Sequence, residues 1–462
     1  MSAPGGVDLG RVRRVHLVGI GGMHMSAIAS ILLARGVRVS GSDIAPSRYT
    51  ERLQEEGATV FKGHAAENVG DAELVVTTVA AKRENPELRA ARERGIPILI
   101  RAEMVAALMQ GRTAVCVAGT HGKTTTSSLL AYALVQAGRD PAYLLGGDAA
   151  DLGRNAAPGT GAEIVVEADE YAEAFLHYAP DVAIVTNVEV DHLDYYGTAA
   201  RIERAFRQFI EQVQPGGRLF ACADSPRLMA VLATARPAAH VETYALDVQA
   251  GWTAHVEPSD AEQRLTVLHG GKEFSAFKTP LAGRHMAANC LGAIAALDAL
   301  GLTQEQIRAA LAGFHGARRR FELVAEARGI TIMDDYAHHP TEIAATIAAA
   351  RERFAGRRLV VVFQPHTFSR TQYLLEEFRG CFARADALLL LPTYAARETA
   401  EAGLDAAALA DAIARPRPVL ADSADDAVRR LTEQTRAEDV VITMGAGTVD
   451  AVGRAFAEAL TR

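Results

Sequence analysis

Residues 119–126, with the sequence Gly-Thr-His-Gly-Lys-Thr-Thr-Thr, constrain the fold of this chain more than any other segment. An apolar run precedes them, and leucine and alanine residues at helical spacing follow, so the segment is predicted to join a strand to a helix. Glycines let backbone N–H groups approach a phosphate, the helix N-terminus favours anions, and Lys123 brings positive charge to the terminal phosphates. The Thr124 hydroxyl is a candidate Mg²⁺ ligand. The segment therefore predicts a nucleotide site.

The spacing in this loop is shorter than in the general phosphate-binding loop. Only Thr120 and His121 separate the first glycine from the Gly-Lys pair, where the general pattern has four residues. The alternative interpretation is a glycine-rich turn with a solvated lysine. The strand, turn, lysine, threonines and amphipathic helix occur together in register, and this combination favours phosphate binding.

Length and charge limit the class of protein. A chain of 462 residues is long enough for about three domains. The net charge of -8 argues against nucleic-acid binding, and we expect no nucleic-acid partner. The four cysteines are far apart in the sequence, and no apolar run approaches the length of a membrane span. We therefore expect a cytoplasmic protein with reduced thiols and no membrane insertion.

The N-terminal part begins with a predicted strand that runs into Gly19-Ile20-Gly21-Gly22, followed by a helix over residues 25–34. This is a Rossmann-like opening, but the full dinucleotide fingerprint has glycine where His24 stands. We predict a nucleotide diphosphate at this turn, with a dinucleotide cofactor or a purely structural turn as alternatives. Asp43, after the next predicted strand, is a candidate contact to a ribose or base.

Acidic residues follow two buried strands in the central part of the chain. Residues 164–170 end in the carboxylates of Glu167, Asp169 and Glu170, and residues 182–187 precede a second polar cluster. Ligands gather at the carboxyl ends of strands in an open parallel sheet, so both clusters are expected at one site. Glu167 is predicted to bind the first Mg²⁺, and His192 a second ion. The alternative is that these acids are solvated loop residues.

The remaining segments complete an α/β pattern. Alternating residues between 251 and 280 predict an antiparallel hairpin added to the central sheet. After residue 318, apolar strands are repeatedly followed by polar residues, which predicts a second Rossmann-like sheet. The pair His338-His339 suggests a metal, but no companion ligand stands nearby in the sequence, so a substrate contact is favoured over zinc.

Seven motifs in order resemble those of the Mur ligases of bacterial peptidoglycan synthesis. They are GTHGKTTT, EADE at a strand end, TNVEVDH, GRH with a later Asn, RRRF, DDYAHHPTEI and FQPHTFSR. The resemblance spans residues 19–447. It implies a three-domain α/β chain. The expected domains are a Rossmann-like UDP-substrate domain at 1–110, a P-loop ATP domain with added antiparallel strands at 111–317, and a Rossmann-like domain at 318–462 that binds the amino acid and closes on ATP.

The resemblance also implies a role for each matching residue. The expected UDP-substrate contacts are Gly21, Gly22, Asp43 and His64. The expected ATP contacts are Gly119, Thr120, Gly122, Lys123, Thr124, Thr125, His285, Asn289, Arg320 and Asp335. The expected metal ligands are Thr124, Glu167 and His192. The expected contacts to the sugar acid and the amino acid are His338, His339, His366 and Arg370. Lys123, Glu167, His192 and Arg320 are the expected catalytic residues.

The implied reaction is ATP-dependent amide synthesis with Mg²⁺ or Mn²⁺. The motifs resemble the branch that joins L-alanine to the carboxylate of UDP-N-acetylmuramate, in a monomer or weak homodimer. After Glu167 and Asp169, this chain has Glu170-Tyr171-Ala172 where the family pattern has other residues. This segment resembles that of the ligases that add a whole tripeptide, L-Ala-γ-D-Glu-diaminopimelate. Met286 likewise replaces an asparagine of the family pattern.

Two alternatives from other classes remain at the level of sequence. A non-catalytic nucleotide sensor would use the phosphate-binding loop only to switch domain orientation, and the presence of Lys123, Glu167 and His192 argues against it. An NAD-dependent oxidoreductase is opposed by His24 in the dinucleotide fingerprint.

Overall fold

The computed structural model describes residues 9–259, 262–396 and 398–461. The first eight residues of the predicted N-terminal domain and the last residue of the chain lie outside the described residues. The strands form three sheets of five, ten and six strands, in chain order. Helices separate most of the strands, so the predicted three-part α/β architecture is confirmed.

The first sheet is fully parallel with the strand order β3-β2-β1-β4-β5. Its elements are β1 Arg14–Val18, α1 Met23–Ala34, β2 Arg38–Asp43, α2 Arg48–Glu55, β3 Thr59–Lys62, β4 Leu74–Thr77, α3 Pro86–Glu93, β5 Ile98–Ile100 and α4 Arg101–Met109. A 3-10 turn at Ala66–Val69 precedes β4. Helix α1 begins two residues before the predicted start, so His24 lies in its first turn. The glycine turn thus ends at the helix N-terminus, as expected for phosphate binding.

The central part contains the largest sheet. Its elements are β6 Thr113–Ala118, α5 Lys123–Gln136, β7 Ala142–Leu144, β8 Ala156–Ala157, β9 Glu163–Glu167, β10 Val182–Val185, α6 Leu193–Tyr196, α7 Ala199–Glu211, β11 Arg218–Cys222, α8 Pro226–Thr234, β12 His240–Ala245, β13 Trp252–Pro258, β14 Gln263–His269, β15 Lys272–Thr279, α9 Arg284–Ala299 and α10 Gln304–Gly313. A 3-10 segment at Tyr171–His177 follows β9.

The order of the central strands creates the site. The sheet runs β15-β14-β13-β12-β11-β10-β6-β9-β7-β8, with parallel pairing from β7 through β13. Strand β6 lies between β10 and β9, so the chain winds outward from it in both directions. Such a switch point leaves a crevice at the carboxyl ends of the strands. The predicted hairpin is confirmed, because β13, β14 and β15 pair antiparallel at the far edge.

The third sheet has the order β16-β17-β21-β18-β19-β20, and only the β16–β17 pair within it is antiparallel. Its elements are β16 Glu322–Ala327, β17 Ile330–Asp335, α11 Pro340–Arg353, β18 Leu359–Phe363, α12 Phe368–Tyr373, α13 Leu375–Cys381, β19 Ala387–Leu390, α14 Ala406–Ala412, β20 Val419–Leu420, α15 Ala424–Gln434, β21 Val440–Met444 and α16 Asp450–Thr461. A 3-10 turn at Ala400–Ala402 precedes α14.

The apolar cores do not correspond one to one with the three sheets. One continuous apolar core runs from Val15 to Phe314 and joins the first two sheets, although part of the first sheet also has its own small cluster. The third sheet has two separate cores, one on each face. The last part of the chain therefore has apolar cores of its own.

Within the described ranges, no helix has the combination of length and apolar character that crossing a membrane requires.

Candidate active site

The loop after β6 has the shape that phosphate binding requires. Gly119 and Gly122 have φ angles of 133° and 81°, in the region that favours glycine. A Cβ atom at Gly119 would overlap the Thr186 hydroxyl, and one at Gly122 would lie 2.5 Å from Asn289 Oδ1. The Asn187 carboxamide accepts a hydrogen bond from His121 N–H at 2.9 Å. Residues at the end of β10 and on α9 therefore hold the loop in place.

Lys123 begins α5 and is held within the loop. Its Nζ donates to the carbonyls of Gly119 (2.6 Å) and Thr120 (3.1 Å), and it lies 2.8 Å from Glu170 Oε2. Burial alone would lower the pKa of Lys123. The negative charges of Glu170, Asp169 and Glu167 outweigh burial, so the pKa is raised. Burial raises the pKa of Glu170 against the pull of Lys123. The lysine is therefore a fixed cation at the position predicted for the terminal phosphates.

Thr124 and Glu167 flank one pair of glycines in the loop after β7. A Cβ atom at Gly146 would overlap the Glu167 carboxylate, and one at Gly147 would lie 3.4 Å from Thr124 Cγ2. Gly146 N–H donates to Glu167 Oε2 at 2.8 Å, which fixes the direction of the carboxylate. The hydroxyl and carboxylate predicted for Mg²⁺ are thus brought to one small region with oxygen donors of the kind that ion prefers.

His192 lies on the other side of the same acidic group. Its Nε2 is 3.9 Å from Glu170 Oε1 and 3.8 Å from Asp191 Oδ2. The Tyr171 ring packs against it edge-on with centroids 5.1 Å apart. Glu170 therefore connects His192 with Lys123, and the structure brings these predicted residues together.

A cavity of about 750 Å³ opens between the loop and helix α11. This volume suits a nucleotide-sized ligand. Among the residues predicted for ATP, those that line it are Gly122, Thr125, His285, Asn289, Arg320 and Asp335. They come from both the second and the third sheet regions, so the cavity is an interdomain site.

Arg320 and Asp335 define the third-domain wall of the cavity. Asp335 accepts hydrogen bonds from Phe321 N–H and Ala337 N–H, both at 2.7 Å. Burial raises the pKa of Asp335 to about 7, although Arg320 opposes the shift. Arg320 Nη1 is 3.6 Å from a Glu342 oxygen. The guanidinium is thus directed into the cavity by a buried carboxylate on α11.

The residues predicted for the sugar acid and amino acid divide into two groups. His338, His366 and Arg370 form the first, with the two histidine rings 5.9 Å apart and Arg370 Nη1 2.9 Å from His366 Nδ1. Burial lowers the pKa of His338 to about 3 and that of His366 to about 4, so both are neutral at pH 7. Arg370 also pairs with Asp191 at 2.9 Å. This pair crosses from the third domain to the central one.

His339 faces away from that group. Its ring lies 4.7 Å from the His121 ring, and its Nδ1 is 3.6 Å from Glu189 Oε2. His121 Nδ1 is 3.1 Å from Glu342 Oε1. Burial lowers the pKa of His121, but the charges of Glu342 and Glu189 outweigh burial and raise it to about 9. The two adjacent histidines therefore lie in different environments.

The residues predicted for the UDP group gather at the carboxyl edge of the first sheet. Gly21 N–H donates to Asp43 Oδ2 at 2.8 Å, so the acid closes the glycine turn. His64 Nδ1 lies 2.9 Å from Ser42 Oγ and 3.2 Å from Glu87 Oε2. Gly22 is exposed beside them. This edge is a second candidate binding region, and none of its four predicted residues lines the cavity.

His24 and Arg101 connect this edge with the acids of the central domain. Arg101 Nη2 donates to Asp169 Oδ2 at 3.0 Å. Burial lowers the pKa of His24, the Arg101 charge adds to this effect, and Asp169 and Glu167 oppose it. The start of the first helix thus lies close to the acids that follow β9.

Sequence reasoning did not single out Arg101, Glu87 or Glu342. Arg101 and Glu87 stand in helices without any motif, so nothing in the sequence indicated that they reach the sites. Glu342 is the third residue of α11, where an acid ordinarily satisfies the helix N-terminus. An acid at this position predicts a helix cap, so the sequence gives no indication that Glu342 also contacts His121 and Arg320.

Comparisons with known proteins agree with this architecture. Three family models match: "Mur ligase family, catalytic domain" at residues 14–113, "Mur ligase middle domain" at 117–297 and "Mur ligase, glutamate ligase domain" at 319–447. The UDP-N-acetylmuramate–L-alanine ligase of Symbiobacterium thermophilum is 46% identical and covers 97% of this chain and 95% of the relative.

Two solved structures are similar over nearly the whole chain. The UDP-N-acetylmuramate–alanine ligase MurC of Thermotoga maritima has a TM-score of 0.82 at 28% identity, covering 97% of this chain and 99% of that one. A murein peptide ligase of Psychrobacter arcticus has a TM-score of 0.71 at 26% identity, covering 97% and 98%.

Proposed function

This chain belongs to the Mur ligase family, and from that premise we propose that it joins L-alanine to the carboxylate of UDP-N-acetylmuramate with conversion of ATP to ADP and phosphate. The reaction belongs to peptidoglycan precursor synthesis. The relatives are ligases, so the oxidoreductase and the nucleotide sensor considered from the sequence are set aside.

One observation carries the proposal beyond the family. The cavity between the central and third domains is lined by residues of both, including Gly122, which directly precedes Lys123, and Glu189, which follows β10. Lys123 itself pairs with Glu170 after β9. ATP bound there would direct its γ-phosphate toward Lys123 and Arg320. Arg370 pairs with Asp191, which neighbours His192, and the proposal assigns the acceptors to the group of His338, His366 and Arg370.

The first chemical step is phosphoryl transfer. An oxygen of the muramyl carboxylate attacks the γ-phosphorus, the bond to ADP breaks, and an acyl phosphate forms. Lys123 and Arg320 stabilise the charge that develops on the phosphoryl oxygens. Both are partly buried cations with acidic partners, so they need little rearrangement at the moment of reaction.

The second step is amide formation. The alanine nitrogen attacks the acyl carbon, and phosphate leaves. Arg370 is suited to hold the alanine carboxylate, because its guanidinium is already oriented by Asp191 and His366. Neutral His338 and His366 add hydrogen-bonding groups without repelling the amine. Closure of the third domain would exclude water from the acyl phosphate.

Mg²⁺ belongs to the proposal, with Mn²⁺ as an alternative. Thr124 and Glu167 would hold one ion and His192 a second, and the Glu167 carboxylate beside Gly146 and the Thr124 side chain beside Gly147 fit this assignment. When bound, such ions neutralise phosphate charge. The oligomeric state, monomer or weak homodimer, stays a prediction. We assign the protein to the cytoplasm, supported by four buried free thiols.

The alternative acceptor is the tripeptide L-Ala-γ-D-Glu-diaminopimelate. Tyr171 favours it, because this residue distinguishes the chain from the usual pattern and packs on His192 and Tyr195 beside the acceptor region. The similarity to a murein peptide ligase is consistent with it, but the higher TM-score and the 46% identical relative favour alanine.

Phosphate release is the test. Purified protein is mixed with ATP, Mg²⁺ and UDP-N-acetylmuramate, and either L-alanine or the tripeptide is added. We expect release that needs both the UDP-sugar acid and alanine. Lys123→Ala should abolish release and leave binding of the UDP substrate nearly unchanged. Release with tripeptide alone would reassign the acceptor, and release that ignores every acceptor would contradict the ligase function.

A further inference from the structure

Three ligand-type side chains from two domains meet beside the phosphate-binding loop. They are His121 in the loop, Glu189 after β10, and His339 at the start of α11. Among the residues that the structure describes, this is the one group of three or more His, Cys, Asp or Glu side chains whose ligand atoms all lie within 4.8 Å of one another. The sequence offered no companion ligand for the His338-His339 pair, because the companions come from another domain.

A cation bound here would take the Nε2 atom of each imidazole and displace a proton from it, because the pKa of His121 is raised to about 9 and His339 Nδ1 accepts a hydrogen bond from Thr341 N–H at 3.3 Å. His121 Nδ1 is 3.1 Å from Glu342 Oε1, and its Nε2 turns toward Glu189, at 3.5 Å. The Nε2 atoms of His121 and His339 are both buried and have no hydrogen-bond partner among the described residues. The side chain of His339 is only 4% exposed. Buried nitrogens without partners are costly unless a ligand satisfies them.

The surroundings of the group resemble the support that metal ligands receive. Glu342 fixes the tautomer of His121 from the opposite ring nitrogen, in a carboxylate-histidine arrangement. Thr341 Oγ1 donates to Glu189 Oε2 at 2.7 Å and orients that carboxylate. All three potential ligands are therefore held by neighbouring side chains or by a helix N-terminus.

We propose that His121, Glu189 and His339 form a binding site for a transition-metal cation of the zinc class, with water as the remaining ligand. Two imidazoles and one carboxylate match the donors that Zn²⁺ prefers, whereas Mg²⁺ prefers oxygen donors. The residues differ from Thr124, Glu167 and His192, so the site is separate from the proposed Mg²⁺ positions.

The site would act as a latch between domains. His121 and Glu189 belong to the central domain and His339 to the third, so one bound cation ties α11 to the phosphate-binding loop. Catalytic cycles of closing domains require reopening for product release. Zinc is therefore an inhibitor of turnover that acts by holding the closed form. The binding itself does not depend on the proposed ligase reaction.

The test measures metal binding by the full chain without nucleotide. Chelator-treated protein is titrated with Zn²⁺ against a competing chelator, and with Co²⁺ by visible absorption. We expect one equivalent to bind with the absorption of a four-coordinate Co²⁺ site. His339→Gln and Glu189→Gln should each weaken binding at least about a hundredfold, and Glu342→Gln about tenfold to a hundredfold.

Matched controls separate this site from others. His366→Gln and Glu167→Gln remove a histidine and a glutamate outside the group and should keep the Zn²⁺ affinity. His339→Cys should restore binding and add a thiolate-to-cobalt charge-transfer band, which a merely structural role of His339 would not produce. Unchanged affinity in His339→Gln and Glu189→Gln, or loss of binding in Glu167→Gln, would overturn the proposal.

Zinc inhibition is the second readout. Phosphate release at saturating Mg²⁺ and ATP should fall when zinc is added to the wild type and should become insensitive to zinc in Glu189→Gln. Equal inhibition of both proteins would contradict the latch, even where the binding experiment succeeds.

Discussion

Asp335 is a buried carboxyl whose pKa is raised from its ordinary value of 3.8 to about 7, mainly by burial. Between these values the folded chain holds the proton that the unfolded chain has released. The free energy of unfolding should therefore fall with rising pH in this window, by up to about 1.4 kcal/mol per pH unit from this group. In urea denaturation from pH 4 to 8 without nucleotide, Asp335→Asn should remove this part of the slope. Parallel curves for wild type and variant would contradict it.

Glu87 is expected to affect binding of the UDP substrate indirectly, through its contact with His64. Its carboxylate accepts hydrogen bonds from Ser42 (2.6 Å) and Asn68 (2.7 Å) and lies 3.2 Å from His64 Nδ1. Glu87→Gln should release His64 and raise the Kd for UDP-N-acetylmuramate at least about tenfold, because hydrogen bonds to charged groups contribute about 1.5–3 kcal/mol. Calorimetry should show ATP affinity unchanged. Glu93→Gln, on the exposed side of the same helix, is the control.

At the scale of elements, the loop between β7 and β8 sets the position of Glu167. Neither Gly146 nor Gly147 has a positive φ, so alanine is allowed by the backbone at both. Gly146→Ala would push the carboxylate away, whereas Gly147→Ala makes a 3.4 Å contact with Thr124 Cγ2. Gly146→Ala should raise the Mg²⁺ concentration needed for half-maximal turnover about tenfold or more, and Gly147→Ala should change it little. Equal effects of the two would show that Glu167 is not the sensitive group.

Individual strands, helices and loops were the features that the sequence predicted best. The strand, loop and helix around Lys123 carry their pattern within a few residues, and so do the alternating strands between 251 and 280. The contact of His121 with His339 and Glu342 has no such local pattern, because it joins residues more than 200 positions apart. Arg101 is similar, since only the packing of the first domain on the second brings it to Asp169. Local periodicity predicts elements, while contacts between domains depend on the assembled molecule.

At the scale of the whole molecule, the third domain has its own cores and meets the central domain partly through ion pairs. Arg370 and Asp191 form one such pair, with both side chains only 10% exposed. Removing one partner of a buried pair costs about 3–5 kcal/mol, because the other charge is left without compensation. A shift of about 5.5 kcal/mol converts a 99:1 population into 1:99, so loss of this pair alone should populate an open form substantially.

Asp191→Asn should therefore increase the radius of gyration measured by small-angle X-ray scattering without ligands. Addition of ATP, UDP-N-acetylmuramate and Mg²⁺ should reverse much of the increase, since ligands bound between the domains favour the closed form. Asp386→Asn is the control, because it breaks a pair with Arg351 that lies wholly within the third domain. The same radius of gyration in wild type and both variants would mean that the remaining contacts, such as Thr341 with Glu189, hold the domains closed without the ion pair.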